Sequence, residues 1–261
     1  MRRVAIRIAY MGGGFCGSQY QPGLRTVVGD ILDDLMTVHP GKDADWFDIK
    51  PSSRTDAGVN ALGNVIAVNT EFEDGIILLR ALNSVSEDIY YREIAYVNED
   101  FNPRFADKRS YRYILPAEGL DIDLAEKCAE LFVGEHDFIR FCKVYEDKPT
   151  VTTIDSIGVK EHDGIIELTF NSRYFLWNMI RKISAAIDSV ARGKRTLDDV
   201  HRALDNLEEI QFGIARPDAL TLLDVEYKDL KFISPEEDAY RPRVNDKLFS
   251  NALEKDFLSS L

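Results

Sequence analysis

Apolar and polar residues alternate from the start of the chain. Val4, Ile6, Ile8 and Tyr10 fall on one side, and Arg3, Ala5, Arg7 and Ala9 on the other, which is the period of a strand. After a glycine-rich run the period lengthens to that of a helix. Thr26 is placed to cap it, and Val27, Val28, Ile31, Leu35 and Met36 form its apolar face until His39-Pro40-Gly41 ends it. Residues 46–49 and 64–69 then read as strands, 76–82 as a helix and 89–97 as a strand. The same plan recurs further on. A strand begins near Tyr111, and residues 124–132 form a helix with Leu124, Ala125, Cys128, Leu131 and Phe132 inward. Residues 152–159 and 165–170 make a hairpin-like pair around Asp163-Gly164. Residues 174–190 read as one long helix with Ile180, Ile183 and Ile187 on a face. Thr196 caps another helix (Leu197, Val200, Leu204, Leu207), and 222–227 is a last strand.

This order predicts an α+β fold of two similar lobes with a cleft between them. The expected organisation is an N-terminal lobe over 1–105, a C-terminal lobe over 106–233 and an appendage over 234–261. The appendage has a polar start, Pro235-Glu236-Glu237-Asp238, and a weakly amphipathic stretch over 248–261. It could pack on the body or support a dimer.

Composition narrows the class. Hydrophobic residues make up 45% and charged residues 30%, the balance of an ordinary globular domain. No apolar run approaches the roughly 20 residues that span a bilayer, and the N-terminus lacks a signal-peptide block, so a cytoplasmic protein is expected. Three widely spaced cysteines and four scattered histidines argue against a disulfide framework and against a structural metal.

The net charge of −13 argues against a nucleic-acid partner when taken alone. Phosphate, however, is bound by a local basic face rather than by a sum over the surface. Basic residues gather at Arg104, Lys108, Arg109 and Arg112, at Arg173, Arg181 and Lys182, and at Arg192, Lys194 and Arg195. Acidic runs lie elsewhere, at 30–34, 71–74, 121–130 and 236–238. Either these runs are simply solvated faces, or the split leaves a positive groove on an acidic protein.

Three stretches can carry chemistry. In Ser53-Arg54-Thr55-Asp56-Ala57-Gly58-Val59-Asn60-Ala61, a carboxylate sits on a tight loop two residues from an Arg. The plain reading is an Asp turn bonded to local amides. The chemical one is a rigidly held nucleophile. Tyr111, in Arg109-Ser110-Tyr111-Arg112-Tyr113, is either half of a core aromatic pair with Tyr113 or a ring that stacks on a base and moves a proton. Arg181 follows the apolar run Tyr174-Phe175-Leu176-Trp177 and stands four residues after Trp177. It either reaches out to solvent or is partly buried and needs an anion, for which Asp56 is the candidate. The glycine-rich run from Met11 to Gly23 has neither phosphate-loop pattern. It reads as a plain mobile connection or as a loop that approaches a ligand closely.

The stretch around Asp56 resembles the signature loop of the tRNA pseudouridine synthase A family, whose Arg-Thr-Asp-Ala-Gly-Val-His reads Arg-Thr-Asp-Ala-Gly-Val-Asn here. Further matches follow in order. They are Tyr10 with Gly14-Phe15-Cys16-Gly17-Ser18-Gln19, Phe101-Asn102-Pro103-Arg104-Phe105, Arg109 to Tyr113, and Gly134-Glu135-His136-Asp137-Phe138. Phe175-Leu176-Trp177-Asn178-Met179-Ile180-Arg181 and Ala219-Leu220-Thr221-Leu222 complete the series, so the resemblance spans about residues 4–228 and has an archaeal cast. It implies a cofactor-free, homodimeric enzyme that isomerises uridine to pseudouridine in the tRNA anticodon stem-loop, at positions 38 to 40. The implied fold is two α/β lobes with largely antiparallel sheets joined into one continuous sheet. Asp56 aligns with the family nucleophile, Tyr111 with the active-site tyrosine and Arg181 with the arginine paired to the nucleophile. Arg54 aligns with the arginine that takes the place of the flipped base. Gln19, Arg104, Lys108, Arg109 and Lys182 are expected to contact the RNA.

The chain departs from the family pattern at four places. Asn60 stands for the usual His, Ser18 for a Trp before Gln19, Trp177-Asn178 for the bacterial His-His, and Val28-Gly29 for a common Gln-Glu. Two readings from other classes remain. One is a non-catalytic RNA-binding module; the other is a glycoside hydrolase, which needs a second carboxylate about 5–9 Å from Asp56.

Overall fold

The computed structural model describes residues 1–145, 148–236 and 238–259, the side chains of 256 and 259 excepted. Glu237, Ser260 and Leu261, parts of the 234–261 appendage, lie outside the described residues, as do Glu146 and Asp147. The chain opens with β1 (Arg2–Tyr10), α1 (Val27–Val38), a two-residue β2 (Lys50–Pro51), β3 (Asn60–Thr70), α2 (Gly75–Val85) and β4 (Ile89–Val97). It continues with β5 (Lys108–Pro116), α3 (Ile122–Glu130), β6 (Gly134–Asp137), β7 (Val151–Ile154), β8 (Ser156–His162) and β9 (Ile165–Ser172). Last come α4 (Met179–Ala191), α5 (Leu197–Leu204), β10 (Leu220–Glu226) and α6 (Arg241–Ser259).

The architecture is mixed α+β around one large mixed sheet, in the order β4-β1-β3-β10-β5-β9-β8, with β2 paired to β3. Among the described residues every pairing in it is antiparallel except β3 with β10. That parallel seam aligns Leu222 with Ala61, while the other edge of Leu222 faces Tyr111 on β5. The register therefore sets the exit of the Asp56 loop two strands from Tyr111, about 10 Å at the usual spacing.

Several elements follow from their local sequence. Thr26 caps α1 by accepting from Gly29 N at 3.1 Å, and Thr196 caps α5 with a full capping box. Asp163 and Gly164 both adopt positive φ, at 51° and 76°, the backbone a tight β8–β9 hairpin demands. Ile180, Ile183 and Ile187 of α4 are buried. Truncating Ile183 to Ala would cost about 2–5 kcal/mol.

Other expectations are corrected. Residues 46–49 are not a strand: Asp45–Phe47 make a single 3-10 turn that buries Phe47, closed by Asp48 in the left-handed region. The helix expected over 174–190 starts only at Met179, because Asn178 is left-handed at φ 63°. Residues 152–154 pair with β6 in a separate two-stranded sheet. Met36 and Leu207, expected inward, are exposed. The arginine face of β1 is also covered: Arg3 pairs with Asp48, and Arg7 with Glu93 and Asp224, so a strand that alternates in sequence is buried on both faces.

The first turns of α6 dock on the body. Arg243 donates to Asn83 Oδ1 (3.2 Å) and Ile89 O (3.3 Å) and lies over the Tyr90 ring, and Lys247 pairs with Asp88. Among the described residues no helix is long and apolar enough to cross a membrane. Among them also, no group of three His, Cys, Asp or Glu is placed to hold a metal ion.

Candidate active site

The Asp56 loop is held from below by buried polar contacts. Tyr10 OH shares a hydrogen bond with Thr55 Oγ1 at 2.8 Å, and Asn64 Nδ2 donates to Tyr10 OH and to Ser53 O. Thr55 N donates to Ser18 Oγ at 2.8 Å, and Ser18 N returns a bond to Thr55 O. The glycine-rich run packs against this loop rather than standing free: a Cβ on Gly12 would sit 2.3 Å from Val59 O, so only glycine fits. Asn60 ties three segments, accepting from Gly12 N at 2.9 Å and donating to Asp218 O at 2.8 Å. Its amide thus has a structural task at the position where the family usually has a ring.

Above this floor, two donors from the far half of the chain meet Asp56. Arg181 Nη1 lies 3.3 Å from Asp56 Oδ2, and Trp177 Nε1 donates to Asp56 Oδ1 at 2.8 Å. The Arg181 side chain is only 14% exposed, and its Nε donates to Ala215 O at 2.8 Å. Of the two readings for Arg181, partial burial against an anion is the one observed. Trp177 precedes α4, so the two donors do not share a helical face as the i,i+4 spacing predicts. The left-handed turn at Asn178 brings them together instead.

The carboxylate opens on a cleft of about 920 Å³. Arg54, Arg104, Arg109, Lys148 and Arg181 line it, and Asp56 is the only carboxylate among its described lining residues. A glycoside hydrolase's second carboxylate is therefore not among them. Tyr111 is 8% exposed within the same lining, its ring edge-on to Phe175 at 5.3 Å. Burial raises its phenol above the usual range, with the nearby Arg109 charge opposing that shift.

The remaining predicted residues divide. Gln19, Arg54 and Arg104 are exposed on the lining, and the Arg54 side chain has no ion pair or hydrogen bond among the described residues. Arg109, expected to contact the RNA, lines the cleft and is also a strut beneath it. It is 7% exposed, with Nε on Ser53 Oγ and Nη2 on Ser52 O and Arg104 O. Desolvation lowers its guanidinium pKa, so the hydrogen bonds to loop oxygens are what make its burial tolerable. Lys108 pairs with Glu226 and Lys182 donates to Cys142 O, and neither lines the cleft. Trp177 is a contact of Asp56 that the sequence alone does not single out. An indole in an apolar run looks like core, and only the tertiary fold aims its N–H at the carboxylate.

A family model described as tRNA pseudouridine synthase matches residues 128–228. The tRNA pseudouridine synthase A of Pyrococcus abyssi is 37% identical, over 88% of this chain and 86% of its own. That of Thermococcus sibiricus is 38% identical, over 99% of this chain and 100% of its own. A solved chain from a Cbf5-Nop10-Gar1 complex overlays 69% of this chain and 44% of its own, at 12% identity and a TM-score of 0.34, too loose to define a fold. The class is thus that of the pseudouridine synthases, which are isomerases. Within it, the chain belongs to the tRNA pseudouridine synthase A family.

Proposed function

We propose that the chain isomerises uridine to pseudouridine in the anticodon stem-loop of tRNA, at positions 38 to 40, with Asp56 as nucleophile and no cofactor. The observation that supports this most is the meeting of Asp56 with Arg181 and Trp177 on the wall of a basic cleft that also holds Tyr111. The reaction breaks a C–N glycosidic bond and rejoins the same base through carbon. The base must therefore leave the helix stack and stay in one site throughout. A fixed carboxylate can add to C6 of the base or to C1′ of the sugar, and both routes need the same placement.

In this reading residues 1–105 and 106–233 are the two lobes of a pseudouridine synthase fold, flanking the cleft, with 234–261 appended. Tyr111 stacks on the flipped base. Its burial favours the protonated phenol, which suits hydrogen-bond donation better than removal of the C5 proton. Arg54, exposed and unpaired among the described residues, fills the place the base leaves. Arg104 and Gln19 hold the displaced strand, phosphate contacts setting register without reading sequence. The enzyme acts as a homodimer, which sedimentation velocity tests directly.

The decisive assay is tritium release from C5-labelled uridine in tRNA, with mapping of the modified positions. Asp56→Asn should abolish release while tRNA binding stays within about threefold. Release at wild-type rates from this variant would sink the assignment, and modification outside positions 38 to 40 would overturn the proposed site on the RNA.

A further inference from the structure

Asp56 opens on the cleft from a partly buried loop, its side chain 31% accessible, and among the described residues no other member of that loop grips its carboxylate. Arg181 alone is a weak hold. Its 3.3 Å contact is long beside the 2.7–2.9 Å typical of a charge-assisted bond. Its Nε is committed to Ala215 O and its Nη1 is shared with Asn178 Oδ1. The closer donor is Trp177, whose Nε1 lies 2.8 Å from Oδ1. The two donors take one oxygen each. Together they fix the plane of a carboxylate whose terminal torsion is otherwise broad.

Trp177 is itself held by the segment before it in the cleft wall. Lys143 N donates to Trp177 O at 2.8 Å, and Lys143 Nζ stands 3.7 Å from the centroid of the indole. The Tyr145 ring stacks on the indole at 5.2 Å and 14°. An indole that is 38% exposed would otherwise be free to swing into the cleft. The stack and the backbone bond keep its N–H aimed at Asp56.

We infer that Trp177 is a positioning residue for the reaction, orienting the Asp56 carboxylate through its indole N–H, with Tyr145 and Lys143 as the clamp that holds the indole. This rests on the reading of Asp56 as nucleophile. A positioning role predicts a loss in kcat rather than in binding, because a nucleophile displaced by even 1 Å loses much of its effective concentration.

The test uses the full-length protein and a tRNA transcript under tritium release. Trp177→Phe keeps an aromatic ring and removes the donor. It should lower kcat about tenfold to a hundredfold, the worth of one hydrogen bond to a charged group, with KM for tRNA within about twofold. Replacing Trp177 by benzothienylalanine, in which sulfur stands for the N–H, keeps ring shape and stacking and should lower kcat to the same degree. Tyr145→Phe preserves the stack and should lose less kcat than Tyr145→Ala, which should lower kcat with KM unchanged. A benzothienyl variant with wild-type kcat would overturn the inference even if Trp177→Phe proves unfolded. A rise in KM with kcat intact would also overturn it, assigning Trp177 to substrate contact. Asp56→Asn is run beside these. If it is inactive while the benzothienyl variant is fully active, only this inference fails; if it turns over normally, the reading of Asp56 fails first.

Discussion

Asp56 is an ordinary turn aspartate until residues more than a hundred positions away close on it. Arg181 shows why the residue type matters. Its planar fork reaches Ala215 O through Nε and Asp56 through Nη1 at once, from two nitrogens fixed in one plane, where a lysine offers a single point of charge on a flexible stem. Arg181→Lys should therefore keep the positive charge yet lower kcat at least about tenfold, a loss within the range for truncating a charged hydrogen bond. Single-turnover kinetics on labelled tRNA check this, and full activity would mean that charge alone suffices. Tyr111→Phe keeps the ring and its edge contact with Phe175. If the hydroxyl takes part in proton movement, binding should be unchanged and turnover should fall about a hundredfold. An unaltered rate would leave Tyr111 with stacking alone.

At the scale of elements, local chemistry was readable and long-range pairing was not. The Thr26 and Thr196 caps, the Asp163-Gly164 hairpin and the strand at 89–97 all follow from a few neighbouring residues. The parallel seam of β3 and β10 joins residues about 160 positions apart, and no period in the sequence announces it. Residues 174–178 carry a helical apolar pattern, yet tertiary bonds hold them open. Arg109 donates to Arg173 O and Lys143 N to Trp177 O, and a local bond from Ser172 Oγ to Tyr174 O adds to these. The same override conceals Trp177 in the sequence, whereas Asp56, Tyr111 and Arg181 stand out there because their motifs carry a family resemblance.

The polar cluster under the Asp56 loop makes a prediction at this scale. Tyr10 is buried, and burial pushes its phenol up to about 12. A raised folded pKa means that its stabilising contribution is complete below the unfolded value near 10 and is lost as pH climbs through about 12. Tyr113 behaves alike, also at about 12. Thermal melts should therefore hold steady to about pH 10 and fall beyond it. Tyr10→Phe removes the bond to Thr55 and should cost about 0.5–1.5 kcal/mol at neutral pH. It should also flatten part of the alkaline fall, and an unchanged alkaline slope would mean that Tyr10 already ionises freely in the folded state.

For the molecule as a whole, the question is how a chain of net charge −13 holds a polyanion. The cleft presents Arg54, Arg104 and Lys148 as exposed cations, with Asp56 the only described carboxylate beside them. Much of the acidic excess is neutralised in place: Asp30 and Asp88 pair with Arg25, Glu71 with Lys42, and Asp199 and Glu208 with Arg202. Charges more than about 10 Å from the RNA are further screened at 0.1 M salt. If the three exposed cleft cations each meet a phosphate, log K should fall with log salt at a slope of about −2 to −3. Raising salt from about 50 to 200 mM should then weaken binding roughly twenty- to fortyfold. Replacing Arg104 by Gln should lower the slope by just under one unit while leaving the ranking of tRNA substrates unchanged, since phosphate contacts carry no sequence information. Fluorescence anisotropy across a salt series reads both quantities. Binding that strengthens with salt would mean that the −13 of the whole surface, rather than the lining of the cleft, governs the encounter.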